Sequence, residues 1–276
     1  MNNLGTSRDE NLRLTILKVG GSLITHKDKS FESNIENIRR ISREISTYME
    51  LKGRDERLII VHGQGSYAHL VAINQITRLH SIDELNYGLL LVMWAARALN
   101  SRFVEGLVNY GVRAFPVQTS ISFQLTNGKV SLTGKQLINR MLEKDWVPIF
   151  YGDILVDTVT DKTQVFSSEN IISELCNYFS TERIIISTDK PGVLENVKDL
   201  NSTISVISDK NLNRIEKLVS GSSNTDVTGG MKHKVETLMK LYQEKKINSY
   251  IIDGTIENGI LDSLLKSKYV GTKVGE

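Results

Sequence analysis

Four β-favouring apolar residues, Leu58-Ile-Ile-Val61, run straight into His62-Gly63-Gln64-Gly65, and this break constrains the fold more than any other stretch. Short apolar runs of this kind suit strands buried on both faces. A glycine at the strand's end lets backbone N–H groups come up against an anion, because without a Cβ it accepts turn dihedrals and close contacts. The same break recurs along the chain. Leu14-Thr-Ile-Leu-Lys-Val19 ends in Gly20-Gly21-Ser22, and Trp146-Val-Pro-Ile-Phe-Tyr151 ends in Gly152-Asp153. Arg183-Ile-Ile-Ile-Ser187 ends in Thr188-Asp-Lys-Pro-Gly192, and Tyr250-Ile-Ile-Asp253 ends in Gly254.

Helical patterns fill the intervals. A capping box, Ser33-Asn-Ile-Glu36, precedes Ile38, Ile41 and Ile45 at helical spacing. A second, Ser81-Ile-Asp-Glu84, opens a long helix from Asp83 to about Val108, with Leu89, Val92, Ala96, Leu99 and Phe103 on one face. Further helices are predicted over 136–142, 169–179, 209–218 and 231–245, a strand over 111–117, and a hairpin from Val156 to Gln164-Val-Phe166. Strands alternating with helices predict an α/β fold: a three-layer α/β/α sandwich around a mostly parallel sheet, with ligands beyond the strands' carboxyl ends.

The 276 residues are expected to form one domain, 1–276, with no flexible linker. A net charge of +2 from 34 basic and 32 acidic residues argues against a nucleic-acid surface, so cationic chemistry must be local. The single Cys176 leaves no internal disulfide and fits a reducing cytoplasm. No apolar run reaches the roughly 18 residues that a membrane span needs.

Two nucleotide motifs are weighed and set aside. Gly63-Gln-Gly65-Ser-Tyr-Ala68 satisfies G-x-G-x-x-A, with Asp83 about 20 residues on, as in a dinucleotide fold of an NAD-linked oxidoreductase. That motif belongs after a first strand, whereas here it follows the second, and it leaves Lys18, Lys27 and Lys234 beside other strand ends unexplained. The P-loop fails because Gly128 and Gly134-Lys135 are misspaced and Gln136 replaces the hydroxyl that binds Mg²⁺.

Taken together, Lys18-Val-Gly-Gly-Ser22, Val61-His-Gly-Gln-Gly65, Gly152-Asp153, Thr188-Asp189 with Gly192-Val193, and Asp226-Val-Thr-Gly-Gly-Met231 with Lys234 resemble the amino acid kinase family. The match runs through nearly the whole chain in order. Its second histidine, His69, and Lys27 look most like the branch that phosphorylates isopentenyl phosphate, with fosfomycin-type kinases as near relatives sharing much of the pattern. A nucleotide-binding sensor is the rival of a different class. The resemblance implies ATP with Mg²⁺, a small-molecule phosphate acceptor, a homodimer, an acceptor-binding part over about 1–180 and a nucleotide-binding part over about 181–276.

The resemblance also implies roles. Lys18, Lys27, His69 and Lys234 would be catalytic. Lys18, Gly20, Gly21, Ser22, Gln64, Asp189, Gly229, Gly230 and Lys234 would meet the nucleotide. Gly63, Gly65, Ala68, His69, Asp153 and Ser168 would meet the acceptor, with His69 donating to its phosphate and Asp153 organising Lys18. No protein metal ligand is expected, because phosphates and water hold the Mg²⁺. The chain departs from the family pattern at Gln64 and Ala68, where glycines are usual, at Ser168-Glu169-Asn170 for Gly-Asp-Asp, and at Lys190-Pro191 for Val-Asp.

Overall fold

A computed structural model describes residues 12–27, 29, 31–67, 82–196, 198–215 and 227–276. In chain order it contains β1 (Arg13–Val19), α1 (Gly21–Ile24), α2 (Ile35–Leu51), β2 (Glu56–His62) and α3 (Ile82–Asn109). There follow β3 (Ala114–Pro116), α4 (Thr119–Ser122), β4 (Phe123–Thr126), β5 (Lys129–Leu132), α5 (Lys135–Glu143) and β6 (Val147–Tyr151). The remainder holds β7 (Asp153–Val156), β8 (Thr163–Phe166), α6 (Ser168–Tyr178), β9 (Thr181–Thr188), β10 (Val206–Ile207), α7 (Val227–Lys245), β11 (Asn248–Asp253), α8 (Gly259–Leu264) and β12 (Gly271–Val274).

Eight strands form one sheet in the order β10-β12-β11-β9-β1-β2-β6-β3. Every neighbouring pair is parallel except β11 with β12. Strand side chains alternate between faces, and two apolar cores result. Ile16, Ile59, Phe150, Ile184 and Ile251 pack with Met141 of α5, Leu175 of α6 and Leu238 of α7. Leu17, Ile60, Ile149, Ile185 and Ile252 pack with Ile41 of α2, Phe103 of α3 and Leu264 of α8. Helices cover both faces, so this is the three-layer sandwich. Burying each of the isoleucines Ile38, Ile41 and Ile45 of α2, all at most 2% exposed, stabilises the fold by about 1.5–3 kcal/mol.

β1 sits at the centre. Val19 pairs with His62 of β2 on one side and with Ser187 of β9 on the other. Strands before residue 180 lie on the β2 side, and strands after it on the β9 side. The chain switches direction across β1, and a crevice opens at such a point beyond the strands' carboxyl ends.

Local details differ from the sequence reading. The cap of α2 is Asn34, whose side chain accepts from Asn37 N–H at 3.0 Å. Ser33 instead forms a bridge with Thr25, and its hydroxyl meets that of Tyr67 at 2.7 Å. α7 begins at Val227, so Gly229 and Gly230 lie in its first turn rather than in a loop before it. β3 keeps only three residues of the predicted 111–117. The hairpin β4–β5 is additional to the predicted elements. Ala68, His69, Ser81 and Asp226 lie outside the described residues.

Candidate active site

Lys18 lies one residue before the end of β1, two positions after Ile16. Strand periodicity therefore turns it toward the layer that holds α6 and α7. It is 5% exposed, and a buried ammonium needs a partner. The partner is Glu169 in the first turn of α6, with Lys18 Nζ 2.5 Å from Glu169 Oε1. The same oxygen lies 3.7 Å from Nζ of Lys234, on α7. Ser168 donates its hydroxyl to Glu169 Oε2 at 2.8 Å, and Lys234 also donates to the Gly230 carbonyl at 3.0 Å. The α6 N-terminus is capped by Ser167, which accepts from Asn170 N–H at 3.2 Å, and the helix dipole favours an acid in that first turn.

Two lysines thus share one carboxylate. Burial pushes the Glu169 carboxyl up, but the charges of Lys18 and Lys234 and the hydrogen bonds from Lys18 and Ser168 override it and hold the group at about 2. Burial, then the charge of Lys18, pulls the Lys234 ammonium down to about 8 against the attraction of Glu169. The trio carries a net positive charge.

A second cluster stands at the end of β9. Asp189 accepts from the Ser22 hydroxyl at 3.0 Å and pairs with the Lys27 ammonium. Burial raises the Asp189 carboxyl, and the bonds from Lys27 and Ser22 bring it below its ordinary value.

The glycine loops of β1 and β2 form the floor between these clusters. A Cβ on Gly21 would lie 2.1 Å from the Gly65 nitrogen, and Gly65 has φ +52°. Neither position admits a side chain. Gly20 N–H donates to Ser187 O at 2.9 Å and Gly63 N–H to Val19 O at 3.0 Å. These two N–H groups are therefore spent on the sheet, which corrects the expectation that Gly20 binds phosphate through its own. The N–H groups of Gly21, Ser22, Gln64 and Gly65 meet no acceptor among the described residues, and such groups are what an anion takes up.

Several expected residues sit elsewhere. Gln64 donates its amide to the Gly152 carbonyl, so it braces the β2 loop against β6, away from the end of β9. Asp153 accepts from Ser120 N–H at 3.1 Å and from Ile154 N–H at 3.0 Å. It pins the start of β7 to α4, and the carboxylate that organises Lys18 is Glu169 instead. The sequence signalled only the need for a counter-charge, since a strand lysine and a helix lysine near one site require one, and not which acid supplies it. His62 is buried, with Nε2 3.1 Å from Asn100 Oδ1 of α3 and Nδ1 3.0 Å from the Gly63 carbonyl. Burial lowers its pKa against those two contacts, and the ring steadies the loop.

Fold and site together define an α/β protein that gathers lysines and bare backbone N–H groups at its strand ends, the apparatus for handling phosphates. The chain belongs to the amino acid kinase family, whose sequence profile matches residues 13–253. It is 30% identical over 270 residues to the isopentenyl phosphate kinase of Methanocaldococcus jannaschii, covering 95% of this chain and 98% of that one. It is 32% identical over 269 residues to the isopentenyl phosphate kinase of Methanothermobacter thermautotrophicus, covering 95% and 98%. An X-ray structure of an isopentenyl phosphate kinase superposes with a TM-score of 0.77 at 28% identity, covering 95% of this chain and all of the other.

Proposed function

We propose that this protein transfers the γ-phosphoryl group of ATP to isopentenyl phosphate, giving isopentenyl diphosphate and ADP. The observation that carries the reading is the Lys18–Glu169–Lys234 cluster at the centre of the sheet, beside unspent N–H groups. Joining two anions is chiefly a problem of charge and positioning. An acceptor phosphate oxygen attacks the γ-phosphorus, and the bond to the ADP oxygen breaks. Lys18 and Lys234 lie where negative charge gathers on the transferring oxygens. A phosphate monoester has a second pKa near 6, so its attacking oxygen needs no enzymatic base.

In this reading the acceptor lies over the β2 and β6 ends and the nucleotide over the β9 and β11 ends, which follows the division of the sheet about β1. Lys27 moves from Asp189 to the phosphates. His69 donates to the acceptor phosphate, as carboxylate acceptors would not require. Mg²⁺ bound to ATP would supply screening of the triphosphate charge, and phosphate oxygens and water would hold it with no protein carboxylate assigned to it. The donor chemistry fits: both acids here, Glu169 and Asp189, already serve lysines. The reading includes a cytoplasmic homodimer; the exposed Leu90 and Trp94 on α3 offer apolar area for a partner, and light scattering measures the mass.

The test is ATP turnover against a panel of isopentenyl phosphate, dimethylallyl phosphate, fosfomycin, UMP, carbamate and acetylglutamate. Isopentenyl phosphate should give the highest kcat/KM. Turnover confined to carbamate or the carboxylate would overturn the proposal.

A further inference from the structure

Thr25 closes the short turn after β1 and is 2% exposed. Its hydroxyl donates to the Gly21 carbonyl at 2.9 Å and accepts from Ser66 N–H at 3.2 Å. A hydroxyl offers one proton and two lone pairs, so a single oxygen joins the β1 loop to the β2 loop. The surroundings are cut to that oxygen: a Cβ on Gly65 would lie 2.2 Å from it. Four unspent N–H groups, those of Gly21, Ser22, Gln64 and Gly65, flank this junction on its two loops. Their mutual placement depends on how the loops are held, since the sheet itself fixes only Gly20 and Gly63.

From this geometry we propose that Thr25 is a positioning residue for phosphoryl transfer. Its hydroxyl bolts the two glycine loops in register, so that N–H groups from β1 and from β2 address one phosphate together. Thr25 touches no substrate; it acts through Gly21 and Ser66. The consequence for catalysis rests on the phosphoryl-transfer reading above, whereas the bolt itself does not. A threonine that merely capped α1 would affect stability alone.

Two variants separate these roles. Thr25→Val keeps the shape and removes the hydroxyl; Thr25→Ser keeps the hydroxyl. Amide exchange followed by NMR should be on the order of tenfold faster or more at Ser66 in Thr25→Val, at a temperature where both proteins are folded, with Thr25→Ser close to wild type. Displacing reactive groups by about 1 Å can cost on the order of 100-fold, so kcat with ATP and isopentenyl phosphate should fall roughly 10- to 100-fold in Thr25→Val and recover in Thr25→Ser. Unchanged exchange, or faster exchange with unchanged kcat, overturns the proposal. If Thr25→Val does not fold, a Thr25→Ser protein with loop exchange and kcat far from wild type overturns it equally, and one that matches wild type on both supports it. Failure of the wild type to use isopentenyl phosphate would sink the acceptor assignment, while exchange at Ser66 would still judge the bolt.

Discussion

At the scale of single residues, the site turns on one carboxylate shared by two ammonium groups. In the proposed reaction Lys234 acts as a charged group, and burial and the charge of Lys18 bring its pKa down to about 8. The pH profile of kcat/KM reports groups of the free enzyme, so activity should fall as pH rises through about 8. Lys234→Arg, whose guanidinium keeps its proton, should lose that limb. The sign for stability is opposite: folding the charged ammonium is costly, and the cost is relieved as pH rises from about 8 toward the unfolded value of 10.5. Glu169→Gln removes the attraction that holds the Lys234 proton, so the limb should move to lower pH, and kcat/KM should drop by about 100-fold or more. A limb that stays in place after both substitutions would dissociate Lys234 from the profile. Glu169 also stabilises the fold above its unfolded pKa of 4.5 and loses that contribution as pH falls toward about 2. His69→Ala should cost about 3 kcal/mol of transition-state stabilisation, like removal of an oxyanion donor; an unchanged kcat/KM would remove His69 from the site.

At the scale of elements, legibility followed local chemistry. The five strands that end in glycine or acid and the long amphipathic helices could be read from their periods, because each buries a face that its own sequence spells out. Lys18 stood out as an ion in an apolar strand, and its direction follows from counting by twos from Ile16. Its partner did not, since Glu169 reaches it across 151 residues of chain, and no local pattern encodes that distance. The hairpin β4–β5 could have been found: Asn127-Gly128 are its two turn residues, both at positive φ (49° and 76°), as a two-residue turn of this kind requires. A Cβ on Gly128 would meet nothing within 4 Å. Gly128→Ala should therefore cost only backbone strain, about 1–2 kcal/mol in chemical denaturation, with kcat unchanged. A loss of activity at constant stability would show instead that the hairpin takes part in binding.

At the scale of the whole molecule, β1 joins the two halves of the sheet, which should therefore unfold as one cooperative unit. It pairs with β2 from the first half and with β9 from the second, so separating them would strip one edge of β1 and split both cores. Both tryptophans, Trp94 and Trp146, lie in the first half, whereas the proposed nucleotide side lies over β9 and β11 in the second. Tryptophan fluorescence therefore watches one half while ATP acts on the other. At 100 times its Kd, a ligand of the folded state adds about 2.7 kcal/mol, which for a chain of this size raises the midpoint by roughly 5–10 °C. ATP with Mg²⁺ should shift the fluorescence-detected melt by that amount, and the far-UV circular dichroism melt should coincide with it. Two separate transitions, with the tryptophan signal indifferent to ATP, would mean that β1 couples the halves too weakly for both substrates to act on a single rigid floor.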